Sequence, residues 1–210
     1  MSIVAEDIKI EGHVTAYKGI PQSLVCKHGE KYLRSLKRNN PGVDVAKFIK
    51  EDDIHERHSN LVLTAGKTLV LERLGGGSNY FQHVVVGDGA FTFNAGGTVA
   101  SGPVYPVLGD TDLKNPLAGR PFDTIEDAIG NMDQGFERHI LTTFFSNQDV
   151  TQASPWTANN DNRVINEIGL AATESGGNYS NYLAYFVMNN YNFSPAEPLA
   201  ITFEWIIRVL

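Results

Sequence analysis

The sequence predicts a mainly β domain, an antiparallel β-sandwich or barrel-like fold with one packed helix. Apolar runs rich in β-branched and aromatic residues recur along the chain, at residues 80–86, 136–145, 163–172, 182–189 and 199–209. Turn-forming residues (Gly, Asn, Asp and Pro) separate these runs, a pattern typical of short strands joined by turns. Hydrophobic residues make up 42% of the 210, which is enough to fill one substantial core.

An N-terminal strand and a helical segment precede these runs. Polar and apolar residues alternate over 9–17, which predicts a half-buried strand. Helical spacing follows over 27–50, with a break at Asn39-Asn40-Pro41-Gly42 and a second short helical turn expected around 43–49. Polar residues at 51–53 are typical of a linker.

Composition therefore predicts two parts, residues 1–55 as an N-terminal strand plus a helical arm or insertion, and residues 56–210 as the β-sandwich core. Within the core, Asn60 is the expected N-cap of the packed helix at 61–74, which three glycines end. In the last strand, alternation places Phe203, Trp205 and Ile207 in the core. Glu204 and Ile206 are expected on the other face.

Residues 87–135 are predicted to be a long loop. The stretch is too long for a simple connection and carries Pro103, Pro106, Pro116 and Pro121. Loops of this kind bind something or become ordered against a neighbouring subunit, and we expect contacts with another subunit to hold this one. Aromatic residues in this and other predicted loops are the interface candidates, namely Tyr105, Phe122, Trp156, Tyr179, Tyr191 and Phe193. The alternative is that these rings fold back into their own sandwich.

Charge argues against nucleic acid as the main partner. The formal net charge is −7, whereas binding a polyanion requires clustered Lys and Arg. The densest basic stretch runs from Lys27 to Arg38 and includes His28, Lys31, Arg34 and Lys37. A solvated helix face is favoured there over a phosphate-binding patch. Cys26 is the single cysteine, so neither an internal disulfide nor a multi-cysteine zinc site is expected.

No motif predicts catalysis. His55-Glu56-Arg57-His58 places its histidines three residues apart, whereas the zinc-protease helix needs four, so a polar linker is favoured. Gly87-Asp88-Gly89 lacks the third glycine and following helix of a phosphate loop, and Asp110-Thr111-Asp112 lacks the remaining ligands of a calcium loop. Both are predicted to be turns. We expect no enzymatic activity, no cofactor, no catalytic residues and no metal.

Five sequence blocks carry a resemblance to a known class of protein, at residues 60–67, 83–89, 108–113, 165–170 and 201–207. With these blocks the chain resembles small β-rich structural proteins of tailed-bacteriophage virions, of the tail, tail-fibre or capsid accessory type. The resemblance implies a subunit of the capsid, neck or tail that assembles by packing with copies of itself and with other virion proteins. It implies localisation in the virion, assembled in the host cytoplasm, with contact to the host surface possible. A signal peptide is not expected, since Glu6 and Asp7 stand where one needs a basic start.

Two alternatives remain open. One is a receptor- or carbohydrate-binding module, in which exposed aromatic rings stack on sugars. The other is a sandwich-fold hydrolase, which requires two carboxylates facing each other across a cleft.

Overall fold

The computed structural model describes residues 9–59, 61–74, 81–93, 99–129, 136–145, 163–173, 179–193 and 200–209. Its elements in chain order are β1 (Ile10–Lys18), β2 (Ile20–Pro21), α1 (Gln22–Asn39), β3 (Ile49–Lys50), β4 (Ile54–Ser59), β5 (Leu61–Val62), α2 (Thr64–Leu74), β6 (Phe81–Gly87), β7 (Thr92–Phe93), β8 (Val99–Ser101), β9 (Pro116–Pro121), β10 (Thr124–Ile129), β11 (Phe136–Phe145), β12 (Arg163–Thr173), β13 (Tyr179–Phe193) and β14 (Ala200–Val209). A short 3-10 turn, Val45–Phe48, precedes β3.

Two five-stranded antiparallel sheets dominate the fold. Sheet I has the strand order β10-β11-β14-β1-β4, and sheet II has the order β5-β13-β12-β6-β9. Two small two-stranded sheets, β2-β3 and β7-β8, complete the set. The predicted fold class, mainly β with antiparallel sheets in a sandwich-like arrangement, is confirmed.

The main core lies between the two sheets. Val14 of β1 and Trp205 of β14 contribute from sheet I, and Val84 of β6 and Ile168 of β12 contribute from sheet II. The predicted alternation of β14 is confirmed, because Phe203, Trp205 and Ile207 all belong to this core. Trp205 is fully buried, so the indole anchors the centre of the sandwich.

The first helix covers the outer face of sheet I, and the second contacts both β13 and the inter-sheet core. Leu24, Tyr32 and Leu36 of α1 pack against Tyr17 and Leu141 on the outer face of sheet I. Gly29 kinks this helix, with φ of 60° and ψ of −149°, a conformation that glycine adopts without a Cβ clash. On the outer face of sheet II, Leu63 and Leu113 form a separate cluster with side chains of the sheet, and α2 contacts β13. Within the described part of the chain, no helix is both long enough and apolar enough to cross a membrane.

The predicted division at residue 55 does not correspond to a boundary in the fold. Strand β1 lies inside sheet I, paired with β14 on one side and with β4 on the other. Residue 55 itself lies within β4. Since Val14 fills the inter-sheet core and α1 covers the sheet, residues 9–55 complete the sandwich and do not form an arm.

Four further element predictions need correction. The polar segment 55–58 is a strand and not a linker, because β4 pairs with β1. The helix predicted at 61–74 begins at Thr64, since Leu61 and Val62 pair with β13; Asn60 lies outside the described residues. Strand β13 continues to Phe193, past the predicted end of this run at residue 189. The predicted loop at 87–135 contains β7 to β10, of which β9 pairs with β6 and β10 pairs with β11.

Candidate interaction surface

The six aromatic interface candidates differ in where the structure places them. Tyr105 is 68% exposed. Tyr191 is buried within the chain, its hydroxyl donates a hydrogen bond to the Ala200 carbonyl at 3.1 Å, and it is therefore corrected to a core residue. Phe122 is partly buried against the inter-sheet core. Tyr179 and Phe193 are the first and last residues of β13, and their side chains, like the whole of Trp156, lie outside the described part of the structure.

Tyr105 belongs to a larger exposed apolar surface. Val104, Tyr105, Val107 and Leu108 are between 46% and 68% exposed, and we call these four residues the apolar ridge. No charged residue occurs from Gly102 to Gly109. The three aliphatic members were not identified as interface residues from the sequence. An uncharged run of Pro, Val, Tyr and Leu between two glycines can nevertheless be recognised in the sequence as a candidate interface.

Hydrogen bonds fix the backbone of the ridge. The Val104 amide donates to the Ala90 carbonyl at 2.8 Å, and the Leu108 carbonyl accepts from the Thr64 amide at 3.0 Å. The turn after the ridge is closed by Asp110, whose carboxylate accepts from the Val107 amide and from Lys114 Nζ, each at 2.9 Å. Burial acts to raise the pKa of Asp110, but these two bonds hold that pKa below its usual value. The exposed side chains are therefore presented on an ordered backbone.

A buried carboxylate ties the two ends of this loop together. Glu167 of β12 is fully buried, and its Oε1 accepts from the Gly89 amide at 3.1 Å and from the Asn115 amide at 2.7 Å. Its Oε2 accepts from the Lys114 amide at 3.0 Å. The neighbouring Asn166 accepts from the Ala90 amide at 3.1 Å. Charge-assisted bonds to backbone amides are strong, so Glu167 is the anchor of the loop stem.

This anchor corrects the expectation that another subunit holds most of residues 87–135. Much of the stretch is tied to its own domain, through β9, β10 and the bonds to Glu167. Gly87-Asp88-Gly89 forms part of this stem, where Asp88 accepts from the Asn115 side-chain amide. Among the large apolar side chains of the described loop, those open to solvent are the four of the ridge and Ile125.

A second polar cluster lies under α1. Glu204 of β14 accepts a hydrogen bond from the Tyr17 hydroxyl at 3.2 Å, and Lys27 Nζ and His139 Nδ1 lie 3.5 and 3.8 Å from its Oε1. Burial, reinforced by the Glu204 charge, raises the pKa of Tyr17 to about 12. These residue types occur in catalytic sites, yet here each side chain contacts a partner on the sheet or on the helix above it. The cluster attaches α1 to sheet I.

The paired histidines of β4 also have structural contacts. Glu56 accepts from both the backbone amide and the side-chain amide of Asn189, and His55 Nε2 donates to the Asn189 carbonyl at 3.0 Å. His58 contacts Glu56 on the same strand. These bonds join β4 of sheet I to β13 of sheet II. Across the described residues, no group of three or more His, Cys, Asp or Glu is placed to hold a metal ion.

Comparison of the chain with protein-family models, with curated proteins and with solved structures found no match.

Proposed function

We propose that this chain is a non-enzymatic structural subunit of a tailed-bacteriophage virion, which works by assembling with copies of itself and with other virion proteins. The observation that carries the proposal is the apolar ridge on its anchored loop. Large exposed apolar patches on soluble proteins mark interaction sites. A ridge held by backbone hydrogen bonds loses little conformational entropy when a partner covers it, which favours association.

The sequence blocks of the resemblance meet at this loop. Block 83–89 supplies β6 and the first half of the stem, and block 165–170 supplies Glu167. Block 108–113 runs from the end of the ridge to Leu113, which is buried against sheet II. Three of the five blocks thus build the support of the ridge, as expected if presenting it is the function of this region.

A second copy of the chain is the partner that we assign to the ridge. Each copy carries a net charge of −7, so copies repel each other over most approaches. The uncharged segment from Gly102 to Gly109 is a place where two copies can meet without that cost. Aromatic and aliphatic side chains around Tyr105 supply the kind of residue that anchors protein interfaces.

The test is the mass of the purified chain in solution. We expect the wild type to form an oligomer and the double variant Tyr105→Ser with Leu108→Ser to be a monomer. Ile54→Ser is the matched control, because Ile54 is 46% exposed but lies on β4, outside the ridge. A monomeric wild type at the highest soluble concentration, or equal dissociation by the control, would contradict assembly through the ridge. Mass spectrometry of purified particles tests virion membership separately.

The second candidate is a receptor- or carbohydrate-binding module. It is favoured by the exposure of the Tyr105 ring, since an open aromatic face can stack on a sugar. A glycan-binding screen distinguishes the two functions. Binding that Tyr105→Ser removes from a chain that is monomeric would favour the module.

A further inference from the structure

A groove of about 470 Å³ separates the second half of α1 from the start of β10. Lys31, Arg34 and Arg38 line it from the helix, while Phe122 and Thr124 are among the residues that line the other side. This volume lies in the range of small-molecule sites, roughly 300–1,000 Å³. The sequence favoured a solvated basic face for this helix, but three of its cations border a concave surface.

The three cations share one face of α1. Their spacing of three and four residues aligns side chains along a helix. None of the three takes part in an ion pair within the described structure. Arg34 donates to the Glu30 carbonyl at 3.4 Å, and Arg38 donates to Ser35 Oγ at 3.0 Å, so the hydrogen-bond acceptors of both guanidinium groups here are uncharged.

Thr124 lines the same groove and carries a buried hydroxyl. Thr124 is 6% exposed, and its Oγ1 has no hydrogen-bond partner among the described residues. In the β10–β11 register Thr124 stands opposite Leu141, whose side chain packs in the cluster under α1. The Thr124 side chain therefore lies on the helix side of sheet I. An unpaired buried hydroxyl is costly, and a small movement of the neighbouring side chains would let an anion oxygen in the groove accept its proton.

Two carboxylates near the groove limit its charge. Asp123 lines it and accepts from Asn39 Nδ2 at 2.7 Å. Glu126 lies 2.7 Å from His28 Nδ1, and Lys31 adds to the field that lowers its pKa. The three cations outnumber the single carboxylate of the lining, so the groove is positive in a protein whose net charge is negative.

We propose that this groove binds a small phosphate-bearing organic molecule. Guanidinium groups and a lysine are the side chains that recognise phosphate, and the Thr124 hydroxyl adds a neutral donor. Phe122 supplies an apolar surface for the organic part of the ligand. The net charge of −7 disfavours a long polyanion. The site is independent of assembly through the ridge.

Titration calorimetry at low salt tests the site on the full chain, with inorganic phosphate and metal-free ATP as probes. We expect saturable binding of both, with ATP tighter than phosphate because its organic part reaches Phe122. The variant Arg34→Gln with Arg38→Gln should weaken ATP binding about tenfold or more, the loss expected for charge-assisted bonds. Lys37→Gln removes a charge from the same helix outside the groove lining and should leave affinity unchanged.

Thr124→Val provides a second variant that keeps all charges. It should weaken phosphate binding severalfold while the far-ultraviolet circular dichroism stays that of the wild type. Absence of saturable binding by the wild type, or an equal loss in Lys37→Gln, would overturn the proposal. Equal affinities for phosphate and ATP would overturn the claim that the groove also recognises the organic part of the ligand. An affinity for oligonucleotides that rises with their length would overturn the small-molecule ligand and would favour a nucleic-acid polymer.

Discussion

Each sheet of the sandwich buries a glutamate on its outer face, and these two carboxylates find their partners in different ways. Glu167 on sheet II accepts from three backbone amides. Glu204 on sheet I contacts the side chains of Tyr17, Lys27 and His139. The first arrangement secures a loop, and the second secures a helix.

The difference determines how each face responds to change. Backbone amides do not titrate in the accessible pH range, and only a proline substitution removes one, so the Glu167 anchor depends mainly on one side chain. The partners of Glu204 are side chains, among which Tyr17 has a raised pKa, and Lys27 is half exposed, so water can replace part of that network. The loop stem should therefore be the more fragile to mutation, and the helix face the more sensitive to pH.

The largest expected effect is that of Glu167→Ala. The substitution leaves three stem amides without their acceptor, and we expect the free energy of unfolding to fall by about 3–5 kcal/mol. Glu204→Ala is the matched variant on the other face and should cost about 1–3 kcal/mol, since chiefly the Tyr17 hydroxyl loses a buried partner. Urea denaturation measures both. If Glu204→Ala costs as much as Glu167→Ala, the distinction between the faces is wrong.

Central strands could be predicted from the sequence, and edge strands could not. The six strands that have neighbours on both sides in the large sheets, β1, β6, β11, β12, β13 and β14, were all predicted. The four edge strands, β4, β5, β9 and β10, were assigned to a linker, a helix and a loop. Central strands bury apolar residues on both sides of the sheet, which leaves a strong pattern in the sequence.

Edge strands carry the residues that oppose further pairing. Strand β9 begins and ends with proline and contains Gly119, and β4 contains the polar run His55-Glu56-Arg57-His58. Proline and charge are tolerated at an edge because one side of the strand needs no ladder partner, and they protect it from aggregation. The same residues are also typical of loops, so a local pattern cannot separate the two.

The candidate surface was predicted only in part, for a related reason. Tyr105 was identified because an aromatic residue in a loop is a local signal. The roles of Glu167 and Glu204 depend on partners 52 to 187 residues away in sequence, and no local pattern encodes them. Alternation along β14 did place Glu204 on the other face of the strand from Trp205. Only the packing of α1 reveals that this position is buried.

The second prediction concerns alkaline pH and the helix face. The pKa of Tyr17 is raised from 10.0 to about 12, first by burial and then by Glu204. Between these values the unfolded chain loses the tyrosine proton while the folded chain keeps it, so stability falls as pH rises. A rise in the pKa of Tyr17 from 10.0 to about 12 corresponds to a loss of about 2–3 kcal/mol in the free energy of unfolding. Urea denaturation from about pH 9 to 12 measures the loss.

Tyr17→Phe is the control, since it removes the titrating group and should flatten this part of the profile. Tyr191 will contribute a similar loss in both proteins, because burial and the nearby Asp53 raise its pKa to about 12 as well. A profile that is identical in wild type and Tyr17→Phe would show that the Glu204 network does not govern the alkaline response.

The third prediction probes the packing around the Glu167 anchor. A Cβ on Gly87 would clash with the Glu167 side chain and with the Asn115 carbonyl oxygen. Gly87→Ala should therefore lower the free energy of unfolding by about 1–3 kcal/mol, as overpacking does. Gly109→Ala is the control in the same loop, because a Cβ there meets nothing within 4 Å. Equal stabilities for the two variants would mean that the stem has room to adjust.

The smallest expected effect is on the acid side of the helix face. His28 holds the pKa of Glu126 below its usual value of 4.5, with burial opposing. A carboxyl group whose folded pKa is lowered stabilises the fold above its unfolded pKa and loses that contribution as pH falls through the folded value. Glu126 is 39% exposed, so solvent screens the pair and the effect is small. Glu126→Gln should therefore lower the melting temperature slightly near neutral pH, and the difference from wild type should vanish as pH falls through the lowered pKa of Glu126. Because Gln keeps the size of the side chain, a difference that persists in acid would reflect packing and not the charge of this pair.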